Sequence, residues 1–373
     1  MAPKLERFFS QEKGNGLRTT ARIKAGELIY SAMPLACCVS GKRAKTACHH
    51  CFSRRESLLR CSQCKVARYC DTTCQRYAWS GHKRECKCLR SLLPRIPTDS
   101  VRLTARIIFT LLGQAQQSSE ELYTLEEHES HLASMSEQKR QGLSQLASML
   151  QLYLQQEVPN FEQEMTSALP PSCQEPLSLL AKVTCNCFTI SDGELQEIGV
   201  GLYPRAKIRG QQNLDEDGLM LSGVEAAWRP LQDAIARLEK LQTELDWQAV
   251  LECCHSLLSQ LGSAVPDENV FKLRVTDIAL DACVQLAQWE QALQYGVRTL
   301  PVYRQYYPDP HPAHGIQLMR VGKLQHYLER IKDAVITLTQ AYDIIKFTHG
   351  SDHPLTSDLL RKMEECHAEM NHA

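Results

Sequence analysis

The last third of the chain carries a hydrophobic pattern typical of amphipathic helices. From about residue 223 onward, apolar side chains recur at steps of three and four with charged residues between them, as in Leu231, Ile235, Leu238 and Leu241. This spacing places one apolar side chain per turn on the same face of a helix. The pattern therefore predicts a helical domain from about residue 223 to the last residue, 373.

An internal repeat of 42 residues runs through this helical region. The segment Trp289-Glu-Gln-Ala-Leu293 recurs as Ile331-Lys-Asp-Ala-Val335, His311-Pro312 recurs as His353-Pro354, and Trp247 stands 42 residues before Trp289. Repeats of this length made of helix pairs are typical of tetratricopeptide-like units, which stack into a concave surface. The repeats are either a peptide-binding groove or a helical layer over the rest of the core, and the His-Pro pairs are interpreted as turn residues.

Two further patterns precede the repeats. Apolar positions at helical spacing between residues 105 and 165, among them Leu143, Leu146 and Leu150, predict amphipathic helices that end near Val158-Pro159. Residues 13–18 and 23–30 form two short extended runs punctuated by glycines, which predict a small β unit. The Gly14-Asn-Gly16 sequence fits a hairpin turn, and it would also let a ligand approach the backbone closely.

Composition excludes several classes of protein. The chain has 373 residues, 43% hydrophobic and 23% charged, which is ordinary for a globular protein of two or three domains. No run of eighteen apolar residues occurs, and the N-terminus has no apolar stretch of signal-peptide length. We therefore expect a soluble, non-secreted protein with no membrane partner.

Cysteine spacing indicates metal binding. In an intracellular protein, clustered Cys pairs among seventeen cysteines are more typical of metal ligands than of disulfides. Eight Cys and His residues follow one another at ligand spacing, which makes two complete tetrahedral zinc sets: Cys48, Cys51, Cys61, Cys64, Cys70, Cys74, His82 and Cys86. A Cys-x2-Cys pair fits a tight knuckle, while an x3 spacing places two ligands one helical turn apart. Cys88 has no partner at ligand spacing.

The same segment is strongly basic. Residues 42–90 contain thirteen Lys and Arg residues against three acidic residues, although the net charge of the whole chain is −1. Seven thiolates and two Zn²⁺ would reduce this excess to about +7. Such a surface can bind nucleic acid through phosphates, bind an acidic or proline-rich peptide, or simply be solvated.

The ligand ladder resembles the MYND zinc finger. The resemblance implies alternating pairs, with Cys48, Cys51, Cys70 and Cys74 on one zinc and the other four ligands on the second. Both sets are complete, so the zinc ions would be structural rather than catalytic. MYND fingers usually bind proteins, which makes proteins or peptides the expected partners of the finger.

The order of segments around the finger resembles the SET and MYND domain-containing family of protein-lysine methyltransferases. The resemblance extends over nearly the whole chain, through Arg60-Cys-Ser-Gln-Cys64, Arg84-Glu-Cys-Lys-Cys88, Pro97-Thr-Asp-Ser-Val-Arg-Leu103, Cys185-Asn-Cys-Phe-Thr-Ile190 and Gly199-Val-Gly-Leu-Tyr-Pro204. It implies a split SET domain, S-adenosylmethionine as cofactor, and histones or other lysine-bearing proteins as substrates.

The resemblance also implies residues for the methyl donor. Family contacts would fall on Lys13, Gly14, Asn15, Tyr123 and Asn186. Backbone groups beside glycine and an Asn amide suit the amino-acid part of the donor, and a Tyr ring offers adenine a flat neighbour. His131 stands where the family would have Asn.

One part of the family pattern is missing. After Pro204 the family continues into an Asn-His-Ser-Cys-x-Pro-Asn motif, a catalytic-site tyrosine and a Cys-x-Cys-x2-Cys zinc cluster, whereas this chain passes through residues 205–218 directly into the C-terminal helices. No His occurs between His131 and His255. The resemblance therefore implies that no catalytic residue is retained and that methyl transfer is lost or severely reduced. It also implies either marginal stability or a partner that compensates for the missing strands. A shortened splice product and a faulty gene prediction would each explain the join.

The function hypotheses are three. They are a protein-lysine methyltransferase, a non-catalytic interaction module made of finger and helical repeats, and a DNA-binding regulator that uses the basic finger. The residues present favour the interaction module. Family resemblance and reduced thiols lead us to expect it in both the cytoplasm and the nucleus.

The expected fold is α+β. It combines an incomplete, split, β-rich SET-type domain with an inserted two-zinc MYND finger and a C-terminal α-helical tetratricopeptide-like domain. The predicted boundaries are 1–47 for the first SET part, 48–86 for the finger, 87–204 for a helical insert and the remaining SET segment, 205–222 for a linker at the join, and 223–373 for the repeats.

Overall fold

The computed structural model divides the chain into two compact units, the first reaching Gly210 and the second beginning at Gln211, apart from two short earlier segments that group with the second. It describes residues 5–10, 14–23, 31–113, 124–158, 163, 166, 169–204, 234–235, 237–238, 240–242, 244–262 and 265–372. The predicted linker at 205–222 lies outside these residues, and the predicted domain boundaries stay predictions.

Seven strands lie in the described part of the first unit. In chain order they are β1 (Leu5–Ser10), β2 (Gly14–Thr19), β3 (Ala36–Val39), β4 (Leu59–Arg60), β5 (Arg68–Tyr69), β6 (Cys187–Ser191) and β7 (Glu197–Leu202). β1 and β2 form an antiparallel hairpin, β4 and β5 a short ribbon, and the other three a sheet in the order β3-β7-β6. Within the described residues, the β structure is thus a small sheet and two strand pairs rather than the expected β-rich domain.

Four helices of the first unit have both ends within the described residues. They are α1 (Thr72–Leu92), α2 (Asp99–Gly113), α3 (Glu137–Leu154) and α4 (Pro176–Asn186), with short 3-10 turns at Gly41–Arg43 and Pro171–Cys173. α2 contributes the most apolar part of the core, since Val101, Leu103, Ile107 and Ile108 are all buried. Its buried side chains pack in one cluster with those of α1, α3 and the sheet. This core holds the finger helix α1 against the rest of the unit.

The central strand of the sheet is β7, whose glycines allow close packing. Leu202 lies opposite Ala36 on one side and Cys187 on the other, and Gly199 lies opposite Val39. A side chain at Gly199 would collide with the Cys38 carbonyl oxygen, and it would also approach the Phe52 ring to 2.6 Å. Glycine is therefore required here because the backbone of β3 comes too close for a Cβ atom.

The local predictions for the first unit are largely confirmed. The extended run predicted at residues 13–18 is strand β2. Its antiparallel partner β1 was not predicted from the sequence. Most of the second run, residues 24–30, lies outside the described residues. The region from 105 to 165 contains most of α2 and all of α3, with turns rather than helix over residues 124–136.

Six helices form the described repeats of the second unit. They are α5 (Trp247–Leu261), α6 (Val270–Gln285), α7 (Trp289–Tyr306), α8 (Pro312–Tyr327), α9 (Ile331–His349) and α10 (Pro354–His372). The three residues that define the 42-residue repeat, Trp247, Trp289 and Ile331, are each the first residue of a helix. The predicted repeat of helix pairs is confirmed.

The repeat also extends to the turns between helices. Leu245, Ala287 and Glu329, each 42 residues from the next, all have positive φ angles, of 61°, 55° and 59°. They stand two residues before a repeat helix begins. Equivalent positions therefore use the same left-handed turn, which is a stronger sign of structural repetition than the side-chain pattern alone.

Buried small residues allow the helices of the second unit to pack closely. Ala292 and Ala334, the equivalent small positions of two repeats, are both fully buried. Ile235 and Leu238, which the hydrophobic pattern placed on one helix face, are buried in the core of the same unit, while Leu231 lies outside the described residues. Within the described residues, no helix is long and apolar enough to cross a membrane.

Candidate zinc centres and methyl-donor residues

Two short turns of the finger have the same backbone construction. In one, the Phe52 N–H donates to the Cys48 carbonyl at 3.0 Å, and in the other the Lys65 N–H donates to the Cys61 carbonyl at 3.0 Å. Phe52 and Lys65 have φ angles of 60° and 59°. Each Cys-x2-Cys pair is thus closed by one residue in the left-handed region, which turns both thiols of the pair toward one point.

Helix α1 supplies three of the remaining ligand positions. It begins after Asp71, whose side chain accepts a hydrogen bond from the Cys74 N–H at 2.8 Å. Cys74 lies in its first turn, and His82 and Cys86 lie one turn apart further along, as their spacing predicted. Cys70 precedes the helix, so the expectation that Cys70 and Cys74 share a helical face is wrong.

The eight predicted ligands converge in two groups of four. One group is Cys48, Cys51, Cys70 and Cys74, the other is Cys61, Cys64, His82 and Cys86, and within each group the ligand atoms lie within 4.8 Å of one another. These alternating pairs are the grouping that the resemblance implied.

Distances inside the groups suit tetrahedral zinc. The Sγ atoms of Cys51 and Cys70 are 3.6 Å apart, those of Cys61 and Cys86 are 3.8 Å apart, and His82 Nε2 lies 3.5 Å from Cys64 Sγ. Zinc–sulfur bonds of about 2.3 Å place tetrahedral sulfurs about 3.8 Å apart. All seventeen cysteines are free thiols, so none of these ligands is consumed by a disulfide. The two Cys/His clusters therefore fit the zinc sites of a MYND finger.

The two groups differ in exposure. All four residues of the group around His82 are buried, whereas Cys51 of the other group is exposed and Cys70 and Cys74 are half-buried. The His82 ring also has aromatic neighbours, with Tyr69 and Trp79 in edge contact at centroid distances of 6.1 and 6.2 Å. The first group, which contains Cys51, is thus partly open to solvent although Cys48 is buried, and the second group, which contains His82, lies in the core. Cys88 is buried outside both groups.

A buried carboxylate stands behind the second group. Glu85, 0% exposed, places Oε2 3.5 Å from His82 Nδ1. Arg102 donates to Glu85 Oε1 at 3.0 Å, and Arg106 donates to Oε2 at 2.7 Å. Burial alone raises the pKa of Glu85, but the two guanidinium groups and His82 hold that pKa well below its usual range. Glu85 is therefore ionised and paired.

Sequence reasoning missed Glu85, Arg102 and Arg106. The only local signal was the three-residue interval between His82 and Glu85, which places both on one face of a helix. The arginines come from α2, and nothing in the sequence pairs them with the finger. Arg102 also donates to the Val39 carbonyl at 3.2 Å, so the same side chain connects α1, α2 and β3.

The predicted methyl-donor residues are only partly described. Lys13 and Tyr123 lie outside the described residues. Gly14 and Asn15 pair with Ser10 and Phe9 in the β1-β2 hairpin, so the Gly-Asn-Gly segment is the start of a strand. The donor site itself stays a prediction.

Asn186, the last residue of α4, joins two parts of the first unit. Its side-chain amide donates to the Glu129 carbonyl at 2.8 Å and to the Lys182 carbonyl at 2.7 Å. His131, in the same 124–131 segment, has a φ of 52°, and its carbonyl accepts from the Ser134 N–H at 3.2 Å. Both amide N–H groups of Asn186 already donate hydrogen bonds. Its side-chain oxygen is therefore the group that could accept a hydrogen bond from a bound methyl donor.

Most of the thirteen basic side chains of residues 42–90, in and next to the finger, lie at the surface. Ten of the thirteen are exposed: Lys42, Lys45, Arg54, Arg55, Arg60, Lys65, Arg76, Lys83, Lys87 and Arg90. Some pair with acidic residues, as Arg54 does with Asp192 at 2.7 Å and Lys87 with Glu157 at 3.0 Å. Tyr77, 65% exposed, stacks on His50 with a centroid distance of 5.7 Å. The finger thus presents positive charge together with an accessible aromatic face.

The fold and these clusters define a MYND-finger protein with helical repeats. The MYND finger family matches residues 48–86, the segment that contains all eight predicted ligands. The chain is 36% identical to histone-lysine N-methyltransferase SMYD3 of Homo sapiens, over 98% of each chain. It is 27% identical to N-lysine methyltransferase SMYD2-A of Xenopus laevis, over 96% of this chain and 98% of that one.

The chain belongs to the SMYD family of protein-lysine methyltransferases. This confirms the family that the sequence motifs indicated. The alignments to SMYD3 and SMYD2-A span 425 and 434 positions, which exceeds the 373 residues of this chain, so they open gaps in it.

A solved structure of nearly identical TPR-like repeats, from a putative kinesin light chain of Podosopora anserina, is also similar. It covers 37% of this chain and 65% of its own, at 14% identity and a TM-score of 0.31. The assignment of helical repeats depends on the 42-residue periodicity of this chain and not on that likeness.

Proposed function

We propose that this chain is a protein-interaction module of the SMYD family in which methyl transfer is lost or severely reduced. The observation that carries the proposal is the direct passage from Pro204 through residues 205–218 into the helical region. The Asn-His-Ser-Cys motif, the catalytic-site tyrosine and the third zinc cluster that the resemblance implies have no counterpart there. No catalytic residue of the family can be assigned in this sequence.

The physical reason lies in what lysine methylation requires. A neutral amine must be held in line with the methyl group of the donor, in a narrow channel from which water is excluded. Loss of a single preorganised hydrogen-bond donor costs roughly a hundredfold or more in rate. A chain that lacks a whole wall of such a channel loses several of these contributions together.

The zinc sites have a structural role in this proposal. Cys48, Cys51, Cys70 and Cys74 would hold one Zn²⁺, and Cys61, Cys64, His82 and Cys86 the other. Each set offers four protein ligands, which leaves no open coordination position for a substrate or water. Zinc would supply the stability of a segment that has little apolar core of its own.

The proposed partners are proteins or peptides. The exposed basic side chains and the Tyr77 ring of the finger suit an acidic or proline-rich peptide, and the helical repeats offer a second surface. Histones, which the name of SMYD3 gives as its substrate, are the first candidates to test as ligands. We propose cytoplasm and nucleus as the compartments.

An active methyltransferase is the second candidate. Identity of 36% to SMYD3 over 98% of both chains favours it, because so complete a match preserves most of the family architecture. In that case S-adenosylmethionine would bind at Lys13, Gly14, Asn15, Tyr123 and Asn186.

The two candidates differ in methyl-donor binding and turnover. Labelled S-adenosylmethionine is titrated into the purified zinc-loaded chain and into human SMYD3, and both are then assayed on histones. The interaction module predicts absent or weak donor binding and a rate at least about a hundredfold lower than that of SMYD3. Turnover comparable with that of SMYD3 would overturn the proposal. In a separate binding assay without cofactor, the zinc-loaded chain should still bind histones.

Metal analysis tests the zinc sites separately. The proposal predicts two zinc ions per chain by mass spectrometry under native conditions. The Cys61→Ser variant should lose one zinc, and the Cys88→Ser variant, which changes a buried cysteine outside both groups, should keep two. Binding to a DNA duplex that falls steeply with salt would instead support the DNA-binding hypothesis.

A further inference from the structure

We propose that Glu85 is a positioning residue for the zinc ligand His82, and that it connects the zinc set around His82 to α2 and β3 through buried arginine contacts, whereas the other set is more exposed to solvent. This inference rests on the zinc binding proposed above. It predicts that the two zinc ions leave the protein at different rates, the one held by Cys48, Cys51, Cys70 and Cys74 first.

The two nitrogens of His82 have different neighbours. Nε2 lies 3.5 Å from Cys64 Sγ, inside the ligand group, whereas Nδ1 faces Glu85 Oε2 at 3.5 Å. Nε2 is therefore the nitrogen placed to bind a metal, and Nδ1 carries the proton that Glu85 can accept. A carboxylate behind a metal-binding imidazole fixes the tautomer and orientation of the ring and raises its basicity.

Glu85 is itself held in place from another helix. Arg102, 1% exposed, donates Nε–H to Glu85 Oε1 at 3.0 Å, and Arg106 donates to Oε2 at 2.7 Å. Arg102 also donates from Nη1 to the Val39 carbonyl of β3 at 3.2 Å. The chain of contacts thus runs from ligand to carboxylate to guanidinium to strand, with every member buried or nearly so.

Such an arrangement opposes metal loss in a way that a solvated one does not. If His82 moved away from a metal, Glu85 would lose a partner inside the core, where the loss of a buried polar contact is strongly unfavourable. Removing a partner behind a metal ligand typically weakens metal binding by about 10- to 100-fold. The set around His82 is therefore expected to release its metal slowly.

The first group has weaker support. The Ser53 hydroxyl lies 3.3 Å from Cys51 Sγ, the Ser53 backbone also hydrogen-bonds this sulfur, and the Cys70 N–H donates to Cys48 Sγ at 3.4 Å. Cys51 is exposed, and Cys70 and Cys74 are half-buried. Solvent and a chelator can reach this group directly, so its metal is expected to leave quickly.

The test is zinc release to a chromophoric chelator from the full chain. Wild type should release two zinc ions in two phases of one zinc each. In the Glu85→Gln variant the slow phase should accelerate about 10- to 100-fold and the fast phase should not change. Ser53→Ala, the matched control at the first group, should affect only the fast phase. Equal acceleration of both phases by Glu85→Gln, or an unchanged slow phase, would overturn the inference.

A second variant covers the case in which Glu85→Gln does not fold. Arg106→Gln removes one support of Glu85 and leaves Arg102 in place, and it should accelerate the slow phase less. Cobalt(II) in place of zinc identifies the group that empties, because three sulfurs with one nitrogen absorb differently from four sulfurs. Loss of the four-sulfur signal in the slow phase would overturn the assignment. A wild-type chain with fewer than two zinc ions would contradict the zinc proposal itself, whatever the variants do.

Discussion

The residues that shape the finger include two whose backbone angles are unfavourable for their side chains. Phe52 and Lys65 both close a Cys-x2-Cys turn with φ near +60°, where an L-residue with a Cβ atom is less stable than glycine by about 1 kcal/mol or more. At Phe52 the strain of the backbone is offset by apolar packing, because the side chain packs with Val39, Ala47 and Ile198. Lys65 is exposed, so its side chain makes little packing contact that could offset the strain of its backbone.

Replacement of Lys65 by glycine should stabilise the zinc-loaded protein. We expect a gain of about 0.5–1 kcal/mol, since glycine accepts a positive φ without strain but loses more chain entropy on folding. Thermal unfolding should show a rise in Tm of a few degrees. Lys65→Ala is the control, because alanine removes the side chain and keeps the strain, so an equal gain with alanine would show that the φ angle is not the cause.

At the scale of elements, the 42-residue repeat is carried as much by helix caps as by apolar positions. Asn269, His311 and His353 stand 42 residues apart, and each accepts a backbone hydrogen bond at the start of its helix: from the N–H of Phe271 at 3.0 Å, Ala313 at 3.1 Å and Leu355 at 3.2 Å. The interpretation of the His-Pro pairs as turn residues is confirmed, and their histidines have a definite role. A neutral imidazole caps the helix by accepting this hydrogen bond at Nδ1, as the Asn side-chain oxygen does in the preceding repeat.

The cap at His311 should make α8 sensitive to acid. Burial, followed by the charge of His314, lowers the pKa of His311. The folded state therefore resists a proton that the unfolded chain takes up below about pH 6.5, and stability is lost as the pH falls from that value toward the folded pKa. His311→Asn keeps a cap that does not titrate, so it should lose less stability than wild type between pH 7 and 5 in chemical denaturation.

A cap-free control separates the two effects. His311→Ala removes the acceptor at every pH and should cost about 1 kcal/mol at pH 7, where His311→Asn should cost little. If His311→Asn loses stability with acid as steeply as wild type, the titration of His311 is not responsible for the acid sensitivity.

At the scale of the whole molecule, the two compact units depend on different forces. All eight ligand residues lie between Cys48 and Cys86 in the first unit, whereas the second unit is built from repeated helix pairs with cores of its own. Zinc can stabilise only the state that contains its binding sites. The helical repeats gain most of their stability from contacts between neighbouring helices.

Zinc removal should therefore unfold one unit selectively. With a strong chelator and a low concentration of protease, we expect rapid cleavage within the first unit and survival of a fragment that retains Ile235 and Leu238 of the second core and contains α5 to α10. Mass spectrometry of the fragments identifies the boundary, and renewed addition of zinc before the protease should protect the whole chain. Degradation of both units at one rate would show that the repeats are not stable without the zinc-loaded unit.

The sequence by itself determined the features that depend on local spacing. Ligand intervals identify the eight residues of the finger because a metal needs them a few residues apart, and the 42-residue repeat appears because each helix pair buries the same face. Only the tertiary structure decided the pairing of β1 with β2 and the order of the sheet. It also placed Arg102 against Glu85, 17 residues away, and against Val39, 63 residues away. Burial decides such contacts, since a charge enters a core only where a distant part of the chain supplies its partner.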